Sequence, residues 1–189
     1  MKLVINAMFG LILLCKAATA GNEFAEDLSD IAARDIQNWT QDAVIVAAVR
    51  AQNITSVGLS QQDILALDQT WRDETITGGK MIDDVLANSL SAYLRKLQNA
   101  GQGQFTEIFV TDVRGLNVGQ SSITSDFWQG DEAKWQVPQS TGRMHMGEVE
   151  FDESAQRYQS QISLPIIHEG QFIGAITVGI DVEKLASLD

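Results

Sequence analysis

The sequence predicts an α+β fold in which helices come first and an antiparallel sheet of about five strands follows, the helices packed mainly on one of its faces. Two observations carry this. From Phe24 to Leu97 apolar residues recur three and four positions apart, the period of helices that bury one side. Beyond Gly103 that period is lost, and the chain closes on Ser160–Asp181, two β-rich runs around His168-Glu169-Gly170-Gln171 that read as a hairpin. The second run, Phe172 to Ile180, is almost continuously apolar, as suits a central strand covered on both faces. Pro165 has no N–H to give a neighbouring strand and belongs at an edge or a bulge.

Glu23 to Asn53 contains no Gly or Pro and reads as one long amphipathic helix, about 45 Å at 1.5 Å per residue. Such a helix overhangs a small sheet or pairs with a copy of itself. Ser60 and Asp63 make a capping box for a second helix that ends near Thr77-Gly78-Gly79. A third runs from Lys80 to Leu97, stopped by Asn99-Ala100-Gly101-Gln102-Gly103. Phe105–Val110 and Leu116–Gln120 are strands around a turn, with Asp112 for local backbone bonds and Gly115 for positive φ. Ser121 to Gly142 loses periodicity and is expected to be a long irregular loop, a feature that is usually functional in a compact domain. Met144–Phe151 is a third strand, with His145 facing away from Met144 and Met146. Glu183–Leu188 is a short tail.

The 189 residues carry 13 Lys and Arg against 25 Asp and Glu, a formal net charge of −12. Lys2, the apolar run Leu3 to Cys15 and the small-residue pattern Ala18-Thr19-Ala20 read as a secretory signal peptide over residues 1–20, with an uncleaved anchor as the alternative. Leu14 stands where a small residue would precede a lipidated cysteine, so Cys15 belongs to the discarded leader. The mature chain then lacks cysteine, and without Lys2 and Lys16 its formal charge is −14. The acid excess argues against nucleic acid and anionic membrane as partners, and leaves either a solvated acidic surface or a cationic ligand. The expected location is the periplasm. Residues 21–59 hold the long helix and its connection, residues 60–189 the remaining core, and 21–189 form one structural unit.

Nothing points to an enzyme. There is no G-x-S-x-G, no phosphate loop, no H-E-x-x-H and no convincing acid pair. Two histidines far apart and no mature cysteine make no zinc motif. Met144-His145-Met146 suggests copper, but strand alternation splits the methionines from the histidine. No cofactor and no metal are expected; a secreted hydrolase or metal protein is the outlying reading.

The chain resembles a periplasmic single Cache domain, the PAS-like (PDC) sensor module of bacterial receptors. The residues that carry the resemblance are the long first helix, Ile108-Phe109-Val110-Thr111-Asp112 with Gly115, the segment Asp126-Phe127-Trp128-Gln129-Gly130-Asp131-Glu132 before Trp135, and the closing Ser163-Leu164-Pro165-Ile166 and Ile173-Gly174-Ala175-Ile176-Thr177-Val178-Gly179-Ile180-Asp181. It spans about Glu23 to Leu185. It implies a PAS-like sheet whose strands, with the loop after the second one, enclose a pocket for an amino acid, carboxylate or amine. In such receptors the last strand feeds a transmembrane helix. This sequence stops at Asp189, so the expectation is a free-standing exported form, with a membrane receptor or histidine kinase as partner.

The candidate ligand-binding residues follow from both readings. Trp128 and Trp135 offer flat walls for a ligand, or plug the loop onto the sheet. Lys134 and Arg143 suit a carboxylate, although Lys134 occupies the place where amino-acid-binding members carry an arginine, and a lysine does not make the bidentate clamp. Asp131 attracts a cation or is simply solvated. Tyr158 offers a hydroxyl or packs into the core. His145 is a ligand or pH-sensing group, or a surface residue. Asp181 holds a ligand ammonium or caps the tail helix. The alternative to ligand binding is a non-enzymatic interaction module that forms a homodimer through the N-terminal helix.

Overall fold

The computed structural model describes residues 22–152 and 156–186, so the stretch 1–20 expected to be a signal peptide and the last residues of the tail lie outside the described residues. The expected single N-terminal helix is several pieces: α1 (Ala25–Ile31), a π-helical turn (Ala32–Ile36), α2 (Gln37–Trp39) and α3 (Ala43–Ser56). The backbone leaves the helix at Asp42 (φ −65°, ψ 130°), whose Oδ1 accepts the Val44 N–H at 2.8 Å. Asp42 is an N-cap in the middle of an apolar stripe. The stripe hid the break because Leu28 and Ile36 before it and Ile45 and Val49 after it bury in the same core.

Asp42 Oδ2 also accepts the Tyr93 hydroxyl at 2.6 Å. That bond, with burial second, pushes the Tyr93 pKa up to about 12. Since the folded value lies above the free one, the bond's contribution is complete at neutral pH and is lost as pH rises through about 12. Tyr93→Phe should cost about 1 kcal/mol in urea unfolding. In Asp42→Asn the Tyr93 absorbance titration should move back toward the ordinary tyrosine range.

α4 (Gln61–Thr77) starts on the expected capping box, with both the Ser60 and Asp63 arms present. The expected third helix splits at Asn88 into α5 (Lys80–Ala87) and α6 (Ser89–Ala100). Asn88 Oδ1 accepts the Ser91 N–H at 2.8 Å, and its Nδ2 donates to the Val118 carbonyl at 2.9 Å, so the break ties the helices to the sheet.

The strands are β1 (Phe105–Asp112), β2 (Asn117–Gln120), β3 (His145–Met146), β4 (Glu150–Asp152), β5 (Arg157–His168) and β6 (Gln171–Asp181). They form one antiparallel sheet in the order β2-β1-β6-β5-β3, with β4 also on β5, which is the α+β, PAS-like arrangement expected. The third strand expected over Met144–Phe151 is two short ones on the same neighbour, pairing His145 with Ser163 and Phe151 with Tyr158. The β5–β6 hairpin turns on Glu169 (φ 52°) and Gly170 (φ 76°), the two left-handed residues of a type I′ turn. Pro165 pairs with Ala175 on β6 but lies past the end of β3, where no strand needs its N–H.

Ile108, Val110, Ile162, Leu164, Ile166, Ile176, Val178 and Ile180 turn to one face of the sheet and bury against Leu28, Ile36, Ile45, Val49, Leu90 and Leu94. A second cluster, Ile64, Trp71, Ile82, Leu116 and Phe127, forms under α4 and α5. By alternation Glu107, Phe109, Gln161 and Thr177 take the opposite face. There the expected irregular segment supplies a helix, α7 (Ala133–Thr141), which packs on β5 and β6. Pro138 within it and Gly142 (φ 66°) just after it masked its period in the sequence. α8 (Val182–Leu185) ends the described chain.

Candidate functional site: a polar cavity on the second sheet face

A cavity of about 900 Å³ opens on the sheet face that carries α7. β1 contributes Glu107 and Phe109, β5 contributes Gln159 and Gln161, and β3 contributes His145 and Met146. Glu148, Glu150, Phe151 and Asp152 form one rim; Ile123, Thr124, Ser125, Gln129, Glu132 and Lys134 form the opposite wall.

Strand pairing sets the floor. β6 lies between β1 and β5, and at the pocket it presents Gly179, whose missing side chain leaves room for Thr106 and Gln159 to meet across it. Gln161 Nε2 donates to Glu107 Oε1 at 2.8 Å, and Gln159 Nε2 reaches the same oxygen at 3.3 Å and Asp152 Oδ2 at 2.6 Å. Burial raises the Glu107 pKa, opposed by the Gln161 bond and by the Lys134 charge. Burial, followed by the Lys134 charge, lowers that of His145, which is therefore neutral at pH 7. Lys134 Nζ pairs with Glu132 at 2.9 Å and sits 5.6 Å from the centroid of the Phe109 ring.

α4 holds the far wall in place. Asp68, only 3% exposed, accepts the N–H groups of Phe127 and Trp128 on Oδ1, both at 2.9 Å. Arg72 bridges Asp68 at 2.7 Å and Asp126 at 2.8 Å. Trp71 Nε1 donates to the Thr124 carbonyl at 2.8 Å. The β1–β2 turn adds the Gly115 carbonyl, which accepts the Gln129 N–H at 2.7 Å.

Of the residues singled out in the sequence, Lys134 and His145 line the cavity. The others lie outside it. Trp128 packs in the second cluster and donates Nε1 to the Arg114 carbonyl at 2.9 Å, which seats the segment on the β1–β2 turn. Trp135 donates Nε1 to the Asp112 carbonyl at 3.1 Å and stands edge-on to Phe172, joining α7 to the sheet. Asp131 and Arg143 are exposed. Tyr158 is 49% exposed and packs on Phe151. Asp181 caps α8 through the N–H groups of Glu183 and Lys184 and pairs with Arg157 at 2.5 Å.

Glu107, Gln159, Gln161, Asp68 and Arg72 belong to the site but not to the residues singled out from the sequence. Signals for them existed. Glu107 is an acid in the middle of β1, one residue before the apolar run Ile108-Phe109-Val110. Gln159-x-Gln161 places two amides on one face. Asp68 shares the apolar side of α4 with Ile64 and Trp71.

No family model matches the chain, and no curated protein matches it. Among solved structures it is similar to an extracellular domain ascribed to a histidine kinase, rpHK1S-Z16 (11% identity, TM-score 0.46, covering 88% of this chain and 63% of that one). It is also similar to the sensory domain of the Campylobacter jejuni chemoreceptor Tlp3 (13%, TM-score 0.45, 85% and 66%). A third is the sensor domain of the Vibrio cholerae histidine kinase DctB (12%, TM-score 0.41, 86% and 57%). The chain spans less than two thirds of the length of each.

Proposed function

We propose that this chain is an exported Cache-type sensing domain that binds a small polar ligand in the cavity on the second sheet face. Its occupancy is relayed to a membrane signalling or transport partner. The observation that carries the reading is the floor: one face of the sheet buries aliphatic side chains, while the other offers a carboxyl group and two carboxamides to a space of about 900 Å³. That volume is in the range of small-molecule sites, about 300–1,000 Å³. The leader-like residues 1–20 support export. Pairing of two copies through the N-terminal helices is part of the proposal; Ile54 on α3 and Val57 at its C-cap, 80% and 61% exposed, are the side chains it would use.

Thermal shift against a panel of amines, amino acids, organic acids and nucleobases tests the reading. A ligand at 100 times its Kd adds about 2.7 kcal/mol, which for a chain of this size is about 5–10 °C in Tm. A panel in which no compound stabilises the protein contradicts it.

A further inference from the structure

We propose that the cavity takes an organic cation, a flexible amine with a primary ammonium seated against Glu107, and rejects carboxylates. This rests on the ligand-binding reading above and names the ligand class for the same site.

Five carboxylates line the cavity, Glu107, Glu132, Glu148, Glu150 and Asp152, against one lysine. That lysine is already engaged: Lys134 Nζ lies 2.9 Å from Glu132 and over the Phe109 ring, with its side chain 18% exposed. His145 adds no positive charge at neutral pH. A carboxylate entering this space would meet an excess of like charge.

One acceptor on the floor has no donor from the protein. Gln161 and Gln159 both bond to Oε1 of Glu107, and among the described residues Oε2 accepts nothing. An ammonium brings three donors, one for that oxygen and the others for the acids around it. Ile123 and Phe151, each 48% exposed, line the same space and offer apolar surface to methylene groups. Among the described residues no group of three or more His, Cys, Asp or Glu is placed to hold a metal ion, so the donor set suits an organic cation.

Burial of Glu107 also predicts how its isostere behaves. A carboxyl whose folded pKa is raised stabilises the fold below its free pKa and loses that contribution as pH rises through the folded value. Glu107→Gln removes the buried charge, so at neutral pH its unliganded Tm should equal or exceed that of the wild type.

The test is calorimetric titration of the full mature chain at neutral pH and low ionic strength with putrescine, cadaverine and spermidine, against 1,5-pentanediol, glutarate and L-valine. The amines should bind and the diol and glutarate should not. Glu107→Gln should weaken amine binding about 10- to 100-fold, the size of a charge-assisted hydrogen bond, without loss of Tm. Lys134→Met should tighten it several-fold, because Glu132 is released to the ligand; a carboxylate ligand would instead lose its cation. Binding of glutarate or L-valine with inert amines overturns the cation assignment and leaves the cavity reading standing. Salt-sensitive amine binding that is equal in wild type, Glu107→Gln and Lys134→Met is general attraction to an acidic surface and overturns the seat. Absence of binding by every probe counts against both readings.

Discussion

Asp68→Ala is expected to destabilise the protein by about 3 kcal/mol and to lower Tm by about 6–12 °C. Asp68 is almost completely buried, and its Oδ1 is the acceptor for two consecutive backbone N–H groups, those of Phe127 and Trp128. Alanine leaves both donors without a partner at a place water does not reach, and deprives Arg72 of one of its two carboxylates. The damage should be local before it is global. Amide exchange should quicken first in residues 121–132, and ligand affinity should fall even where the fold survives, because that segment is the far wall of the cavity. Denaturant unfolding with exchange mass spectrometry checks both parts. A loss below about 1 kcal/mol would mean that Trp71 and Asn117, which hold Thr124 and Asp126 separately, suffice.

Gly115→Ala is expected to cost about 2–4 kcal/mol. Gly115 has φ 81°, and a Cβ there would meet the backbone N and Cα of Gly130 at 2.7 Å. The residue is therefore constrained twice, by its left-handed conformation and by the close approach of two turns. Gly170 separates the two effects: its φ is 76°, but no atom lies within 4 Å of the place a Cβ would occupy. Gly170→Ala should cost only the conformational term, about 1 kcal/mol. The difference between the two Tm values measures the collision, and with it how tightly the β1–β2 turn grips the cavity wall. Equal effects would show that the wall gives way freely.

Much of the fold was legible in the sequence because its signals are local. The capping box at Ser60 and Asp63, the hairpin around Glu169-Gly170 and the split of aliphatic and polar positions along β5 each need only neighbouring residues to be read. The breaks at Asp42 and Asn88 were not read, although both are good N-cap residues. A cap inside a continuous apolar stripe becomes visible only when the helices on either side are seen to share one core. The site was less legible still. Tryptophans in an aperiodic stretch suggested ligand walls, yet Trp128 and Trp135 spend their N–H groups on carbonyls of the β1–β2 turn. The floor depends on register: Glu107 meets Gln159 and Gln161 only because β6 lies between their strands with Gly179 at the crossing. That juxtaposition spans more than fifty residues of sequence and has no motif.

The central claim is that the polar face of the sheet is a ligand floor. The most direct measurement is a crystal structure of the protein grown with the compound that gives the largest thermal shift. The compound should lie between β1, β5 and α7, with a donor in hydrogen-bond contact with the Glu107 carboxylate and Lys134 still paired with Glu132. The compound bound elsewhere, with the space over Glu107 holding only water, would contradict it.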